Sequence, residues 1–389
     1  MTTAALATAP RSSLSAPNAC DEAARGKSVV VVGAGGVIGS HLVPHLGRMC
    51  ELSRVILIDR DLYEPTNLRS QAITARDLGQ PKAVVQARRL RQINPALQVH
   101  AIADAVENVP LGLLRCDVIL AALDSRAARR VVQRAAWRLG VPWIDSGVHG
   151  DDLLARVNVY VPRAGQPCLE CAWQARDYAT LDQTYPCDPA AQSAPPTNAP
   201  SSIGALAASL EALECQKVLS GKWEWVAVGR QVLINASAHT HFITRFGLNP
   251  ACRFDHAVWN IELLNHRPAQ LTLRDALACA DLAGHDAPSL ALGVEGMVFL
   301  RKLTCTGCGF TRELLRLSGR LRAAERACVR CDLPMRAAGF DMAEWLRAAD
   351  LAPATLARSL RSVGLRSGDV FTVSGALGQR RFQIGKPEA

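Results

Sequence analysis

VVVVGAGGVIGS, Val29 to Ser40, is the stretch on which the reading of this 389-residue chain turns. Four consecutive valines read as a strand buried on both faces. Gly33, Gly35, Gly36 and Gly39 then let the backbone turn tightly and approach a phosphate, and the N–H groups opening the next helix supply partial positive charge. Asp59 closes the next apolar run about 20 residues further on, where a carboxylate accepts hydrogen bonds from ribose hydroxyls. Strand, glycine turn and acid together predict a nucleotide-binding, Rossmann-like α/β fold.

The pattern continues outward from this stretch. Apolar runs at Val29 to Val32, Val55 to Ile58, Val118 to Leu120 and Trp143 to Ile144 alternate with helical segments at Val37 to Met49, Pro81 to Ile93 and Ala127 to Leu139. Such alternation predicts a doubly wound, mainly parallel sheet covered on both faces. A half-buried strand follows at Leu154 to Val161, then a Pro/Ser/Ala-rich loop from Gln174 to Ser201, a helix from Ile203 to Leu219, and strands at Val232 to Asn235 and Phe242 to Phe246. Residues 1–26 lack periodicity and read as a flexible arm. The expected division is residues 27–258 for the nucleotide-binding domain and 259–389 for a smaller C-terminal region, with a zinc ribbon near 300–335 and a small β-rich module whose Val363 to Ile384 segment alternates like a hairpin.

Composition narrows the function classes. Hydrophobic residues make up 49% and charged residues 20%, as in ordinary globular chains, so wholesale disorder is excluded. No run approaches the roughly 20 apolar residues of a membrane helix, and the N-terminus has no compact apolar core of a signal peptide. A cytoplasmic protein is expected, and its 13 cysteines then read as metal ligands and reactive thiols rather than a disulfide framework. Lys+Arg number 44 against 35 Asp+Glu, a net charge of +9. Much of it sits at Arg88, Arg89, Arg91, Arg129, Arg130 and Arg134, read as solvated helix faces, with a docking surface for an acidic partner as the alternative.

The residues after Asp59 separate hydride chemistry from phosphate chemistry. IDRDLYEPTNLRSQ, LGQPKAVVQARRLRQINP and ILAALDSRAARR cluster charge where a dinucleotide oxidoreductase needs none. Arg69 and Lys82 suit neutralisation of phosphates, Asp61 and Asp124 suit magnesium, and Asn67 and Gln71 can donate hydrogen bonds.

The order G-x-G-G, D-x-D, N-L-x-x-Q, P-K-A, strand-end Asp124 and SLEALECQKVLSG resembles the ThiF/MoeB family of ubiquitin-activating-type adenylyltransferases over residues 27–256. The resemblance implies that Gly33, Gly35 and Gly36 lie on the phosphates of ATP and Asp59 on the ribose. It implies further that Asn67, Gln71 and Lys82 surround the triphosphate and that Asp124 positions Mg2+. Two motifs depart from the family's usual form: Ile38 intervenes between Val37 and Gly39, and Ser70 stands where N-L-x-R-Q has its arginine, with Arg69 just before it. The activity implied is ATP-dependent adenylation of the C-terminal carboxylate of a small ubiquitin-like or sulfur-carrier protein. A homodimer is implied, although the arm offers only Arg11 and Arg25 where the family often carries R-Y-x-R.

The cysteines fall into three groups. Cys168 and Cys171 form a C-x-x-C pair suited to Zn2+, and the family usually supplies a second pair beyond the long helix. Here NPACRFDH offers Cys252 with either His256 or Asp255 to complete the site. Cys305 and Cys308 with Cys328 and Cys331 have the paired spacing of a zinc ribbon. Cys187 lies in the loop where related activating enzymes carry the cysteine that takes the acyl group as a thioester, which would bring a conjugating enzyme or sulfurtransferase as a further partner. Cys20, Cys50, Cys116, Cys215 and Cys279 read as small core residues. Neither a membrane nor a nucleic-acid partner is expected. Two other readings are an NAD-dependent oxidoreductase, which has no use for Lys82, and a non-catalytic nucleotide- and zinc-binding scaffold or zinc-dependent nucleic-acid binder, which only the +9 charge and the zinc ribbon favour.

Overall fold

Val29 and Val31 face one layer of the protein while Val30 and Val32 face the other, so the first strand is buried on both sides. Each such side chain contributes about 1.5–3 kcal/mol on burial. The computed structural model describes residues 26–182, 199–280 and 289–387. The expected N-terminal arm, with Arg11, Cys20 and Arg25, lies outside these residues, as does Cys187.

The first part of the chain runs β1 (Lys27–Val32), α1 (Gly39–Leu46), β2 (Leu52–Ile58), α2 (Lys82–Ile93), β3 (Gln98–Ile102), β4 (Val118–Ala121), α3 (Arg126–Leu139), β5 (Trp143–His149), β6 (Leu154–Tyr160), α4 (Ala175–Asp182), α5 (Ser201–Leu219), β7 (Arg230–Asn235) and β8 (Thr240–Arg245). Among the described residues the strands form one sheet in the order β3-β2-β1-β4-β5-β6-β7-β8. Pairings from β3 to β5 are parallel, and those from β5 to β8 antiparallel. Helices α1, α2 and α5 pack on the Val29/Val31 face and α3 on the other. The result is a mixed α/β fold built on a large, mainly parallel sheet. Strand order reverses between β1 and its neighbours β2 and β4, and in open α/β sheets the crevice at such a switch point is where ligands bind.

Helix α5 runs close beneath the glycine turn because it has no side chain at the crossing. A Cβ on Gly204 would lie 2.6 Å from Val37 Cγ1 and 2.7 Å from the Val37 carbonyl oxygen.

Three expectations are corrected. Cys50, expected as a small core residue, is exposed shortly after α1 and is disulfide-bonded rather than a free thiol, because its apolar sequence neighbours do not decide which side of the turn it takes. The stretch from Gln174 was expected as a loop to Ser201, but Ala175–Asp182 is helical, with Trp173 packed edge-on to Tyr178 at 5.3 Å. The arginines of α2 and α3 are tied down rather than simply solvated. Arg88 pairs with Asp77 at 2.7 Å, Arg89 donates to the Ala72 carbonyl and Arg91 to that of Val99. Arg129 pairs with the fully buried Asp145 at 2.7 Å, and Arg130 and Arg134 share the buried Glu170 at 3.5 and 3.6 Å. Short-range periodicity places an arginine on a helix surface but not the acid that a neighbouring segment brings to it.

The C-terminal region comprises β9 (Ile261–Leu264), α6 (Leu273–Ala278), β10 (Ala291–Gly293), β11 (Phe299–Cys305), β12 (Thr311–Leu317), β13 (Met335–Arg336), β14 (Met342–Ala343), β15 (Trp345–Arg347), β16 (Val370–Gly375) and β17 (Gly378–Ile384). One sheet has the order β15-β10-β16-β17-β9, and a smaller one pairs β11 with β12, β13 and β14. The region has its own apolar core around Phe299, Leu317, Phe371 and Phe382. It docks on the first part of the chain through Glu295, which Arg138 bonds at 2.8 Å, and through the Gly112 N–H donating to the Gly368 carbonyl at 2.8 Å. No helix among the described residues is long and apolar enough to cross a membrane.

Candidate functional site

The ends of β1, β2 and β4 meet at one edge of the sheet. Gly33 adopts φ +82°, a left-handed conformation, and a Cβ there would lie 2.3 Å from the Ala122 carbonyl oxygen, so only glycine lets the turn close against the end of β4. The turn then leaves donors open. Among the described residues the N–H groups of Val37, Ile38 and Gly39 have no hydrogen-bond acceptor. With Ile38 inserted, α1 begins at Gly39, so three successive open donors sit where a helix dipole adds positive potential.

Asp59, just past β2, is 8% exposed and receives the Gly35 N–H at 2.8 Å and the Asp61 N–H at 3.1 Å. Burial pushes its carboxyl above the ordinary value, against the pull of these N–H groups and of Lys82. Lys82 opens α2 and is 7% exposed. A short bridge puts it there: the Lys82 N–H donates to the Asp61 carbonyl at 2.9 Å, and Leu62 pairs with Pro81. Its ammonium lies 3.6 Å from the Asp61 carboxylate and 5.7 Å from the Tyr63 ring centre. Gly35, Asp59, Asp61 and Lys82 are therefore gathered at one place.

The other expected residues are placed less uniformly. Gln71 is 9% exposed, and its Oε1, an acceptor, is buried without a hydrogen-bond partner. Asn67 lends its Oδ1 to the Glu64 N–H at 2.9 Å, so part of its amide holds the turn Pro65–Arg69 instead. Arg69 ends that turn, exposed and without an ion pair among the described residues. Asp124 is exposed on the loop between β4 and α3, likewise without an ion pair. Of the two carboxylates suited to magnesium, Asp61 is thus engaged by Lys82 and Asp124 is the free oxygen donor.

Some site residues have no signal in the sequence. Tyr63 is buried against Lys82 and receives the Gln86 amide at 2.7 Å; burial drives its hydroxyl pKa upward, so it stays neutral. The loop carrying Asp124 is clamped from below: Arg129 donates to the Leu123 carbonyl and to that of Ser146 while pairing with Asp145, which also takes Arg156 at 2.7 Å. Ser146 in turn donates to the fully buried Glu211 of α5 at 2.5 Å.

The cysteines form two four-residue sets. The ligand atoms of Cys168, Cys171, Cys252 and His256 lie within 4.8 Å of one another, and so do those of Cys305, Cys308, Cys328 and Cys331. In the first set Cys168 Sγ is 3.7 Å from Cys252 Sγ, and Cys171 Sγ is 3.3 Å from His256 Nε2. His256, rather than Asp255, completes it, because Asp255 is held by Arg138 at 2.5 Å. His256 takes φ +53° and packs edge-on against Trp137 at 4.9 Å, a strained conformation kept by its surroundings. In the second set the Gly307 and Cys308 N–H groups point at Cys305 Sγ from 3.4 and 3.5 Å, pulling that thiol down to about 6. Either donor set, three thiols with an imidazole or four thiols, suits a tetrahedral metal ion.

A phosphate-ready turn at the switch point of a mainly parallel sheet, with a buried lysine and a strand-end acid beside it, defines a nucleotide-binding α/β protein. The ThiF family matches residues 14–253, and the chain belongs to it. It is 34% identical over 149 residues to a sulfur carrier protein adenylyltransferase of Thermus thermophilus, covering 37% of this chain and 54% of that one. It is 30% identical over 166 residues to a ubiquitin-like modifier-activating enzyme 5 of Oryza sativa subsp. japonica, covering 39% of each. The chain thus spans about half or less of the length of these two relatives. A crystal structure of E. coli MccB with ATP is 24% identical, with a TM-score of 0.48 over 59% of this chain and 65% of that one.

Proposed function

We propose that this protein uses ATP to adenylate the C-terminal carboxylate of a small ubiquitin-like or sulfur-carrier protein. The observation that carries the proposal is the meeting of open N–H groups at Val37 to Gly39 with the buried Lys82 ammonium, whose stem packs against Gly35, at one sheet edge. Family membership and the two named relatives support the same reading.

In this reading Gly33, Gly35 and Gly36 let the triphosphate lie against the backbone, Asp59 holds the ribose, and Lys82, Asn67, Gln71 and Arg69 face the phosphates. Asp124 is the ligand for Mg2+, which would supply further charge neutralisation there. A carrier carboxylate is already ionised at neutral pH, so no general base is needed. Its oxygen attacks the α-phosphorus, the bond to the β-phosphate oxygen breaks, and pyrophosphate leaves with that electron pair. The obstacle is repulsion between anions, and fixed positive charge lowers it.

The two cysteine sets each hold a structural Zn2+ ion in this proposal. Cys187 then takes the acyl group: its thiolate attacks the adenylate carbonyl, AMP departs, and a thioester forms for a conjugating enzyme or sulfurtransferase to use. A cytoplasmic homodimer completes the picture.

The test is exchange of labelled pyrophosphate into ATP by the full chain with its carrier. Lys82→Ala or Asp124→Ala should each slow exchange on the order of 100-fold or more. Unchanged exchange in both variants overturns the assignment.

A further inference from the structure

Outside the nucleotide site, a cavity of about 360 Å³ in the C-terminal region is lined by Arg267, Arg361 and Arg366 together with Pro268, Ala269, Leu365 and Ser367. No acid lines it. Among the described residues no carboxylate lies within ion-pair distance of Arg267 or Arg361, and Arg366 reaches only Asp104, at 3.9 Å. Arg267, Arg361 and Arg366 thus give the lining a positive charge that a bound anion would offset.

The arginines are presented by pinned backbone. The Leu360 N–H donates to the Leu271 carbonyl at 2.8 Å and the Arg361 N–H to that of Pro268 at 3.0 Å, which fixes the Arg361 loop against the segment after β9. The Arg366 N–H donates to Asp369 at 2.6 Å, and Asp369, 2% exposed, is itself gripped by Arg320 at 3.1 and 3.3 Å. Partial burial and the nearby Arg320 charge pull Arg366 below its ordinary pKa, with Asp104 and Asp369 pulling the other way.

We propose that this cavity is a binding site for a small ligand bearing a phosphate or diphosphate group. Arg267 and Arg361 have no carboxylate within ion-pair distance, so together with Arg366 they suit a group with two or more negative charges better than a lone carboxylate. Guanidinium forks suit phosphate oxygens, and Pro268, Ala269 and Leu365 give an apolar wall for the rest of the molecule. Arg366 contacts Asp104, two residues past β3, whose Ile102 carbonyl accepts the Asp59 N–H at 3.1 Å.

The experiment is calorimetric titration of the full chain with inorganic pyrophosphate, the nucleotide site first filled with a non-hydrolysable ATP analogue. One binding event per chain is expected, weakened at least about 10-fold in Arg267→Ala/Arg361→Ala and retained within a few-fold in Arg267→Lys/Arg361→Lys. Both variants should keep the unfolding temperature and pyrophosphate exchange rate of the wild type, since neither arginine belongs to the adenylation site. A hexaglutamate peptide serves as the second titrant. Absence of pyrophosphate binding, equal binding in the alanine variant, or binding of the peptide in place of pyrophosphate each overturns the proposal. None of these outcomes touches the adenylation reading, which stands or falls on the Lys82 and Asp124 variants.

Discussion

Gly35 and Lys82 are packed so closely that a Cβ on the glycine would lie 2.4 Å from the Cβ of the lysine, and 2.8 Å from the Tyr63 hydroxyl. The missing side chain therefore sets the position of the lysine as well as the course of the backbone. Gly35→Ala should displace Lys82 and slow pyrophosphate exchange about 100-fold, since a shift of an ångström suffices for that. Circular dichroism should remain native. Exchange within a few-fold of wild type would show that Lys82 tolerates the displacement.

Glu211 makes stability depend on pH in a definable direction. Burial raises its pKa well above the ordinary carboxylate range. Above that range the unfolded chain releases this proton while the folded chain keeps it, so the stability contributed by Glu211 falls as pH rises toward the folded pKa, by up to about 1.4 kcal/mol per pH unit. Glu211→Gln keeps an acceptor for Ser146 and removes the titration. Urea unfolding between pH 5 and 8 should show the variant gaining on the wild type as pH rises toward the folded pKa; a constant difference across the range would mean that Glu211 does not titrate there.

Arg138 joins the cysteine-bearing segment to the C-terminal region. It bonds Asp255, Glu295 and the Ala257 carbonyl, and its guanidinium stacks 4.7 Å from both the Phe254 and Trp259 rings. Asp255 is 59% exposed and Glu295 27%, so screening limits the ionic share. Arg138→Ala should cost about 2 kcal/mol in urea unfolding. Hydrogen exchange should quicken at residues 255–259 and 293–296 while the β1 amides stay protected. Uniform acceleration would place the loss elsewhere.

Elemental analysis should find two zinc ions per chain. Cys171→Ser should remove one and Cys308→Ser the other, because each set loses a quarter of its tetrahedral donors. A chain with one zinc that survives Cys171→Ser would leave only the second set as a metal centre.

Cys187→Ala should leave pyrophosphate exchange intact, since the adenylate forms without a thiol. On a non-reducing gel with carrier and ATP, the wild type should show a reducible adduct that the variant lacks. Adducts of equal strength would assign the acyl group to another cysteine or leave it on the nucleotide.

Features whose cause is local were legible in the sequence. The valine run and glycine turn at Val29 to Gly39, the alternation of strands and helices through Trp143, helix α5, the hairpin of β16 and β17 and the spacing of Cys305, Cys308, Cys328 and Cys331 all follow from periodicity or from positions a few residues apart. What joins distant segments was not legible. Cys168 meets Cys252 across 84 positions and Cys171 meets His256 across 85, and the choice of His256 over Asp255 was made by Arg138, which draws the aspartate away. The burial of Glu211 under Ser146, the clamp of Arg129 on the Asp124 loop and the lining of Lys82 by Gly35 and Tyr63 arise in the same way. The chain's own pattern sets the conformation and sidedness of each element, whereas the partner of a buried charge depends on which other element the packed sheet brings against it, and that is decided only when the layers close.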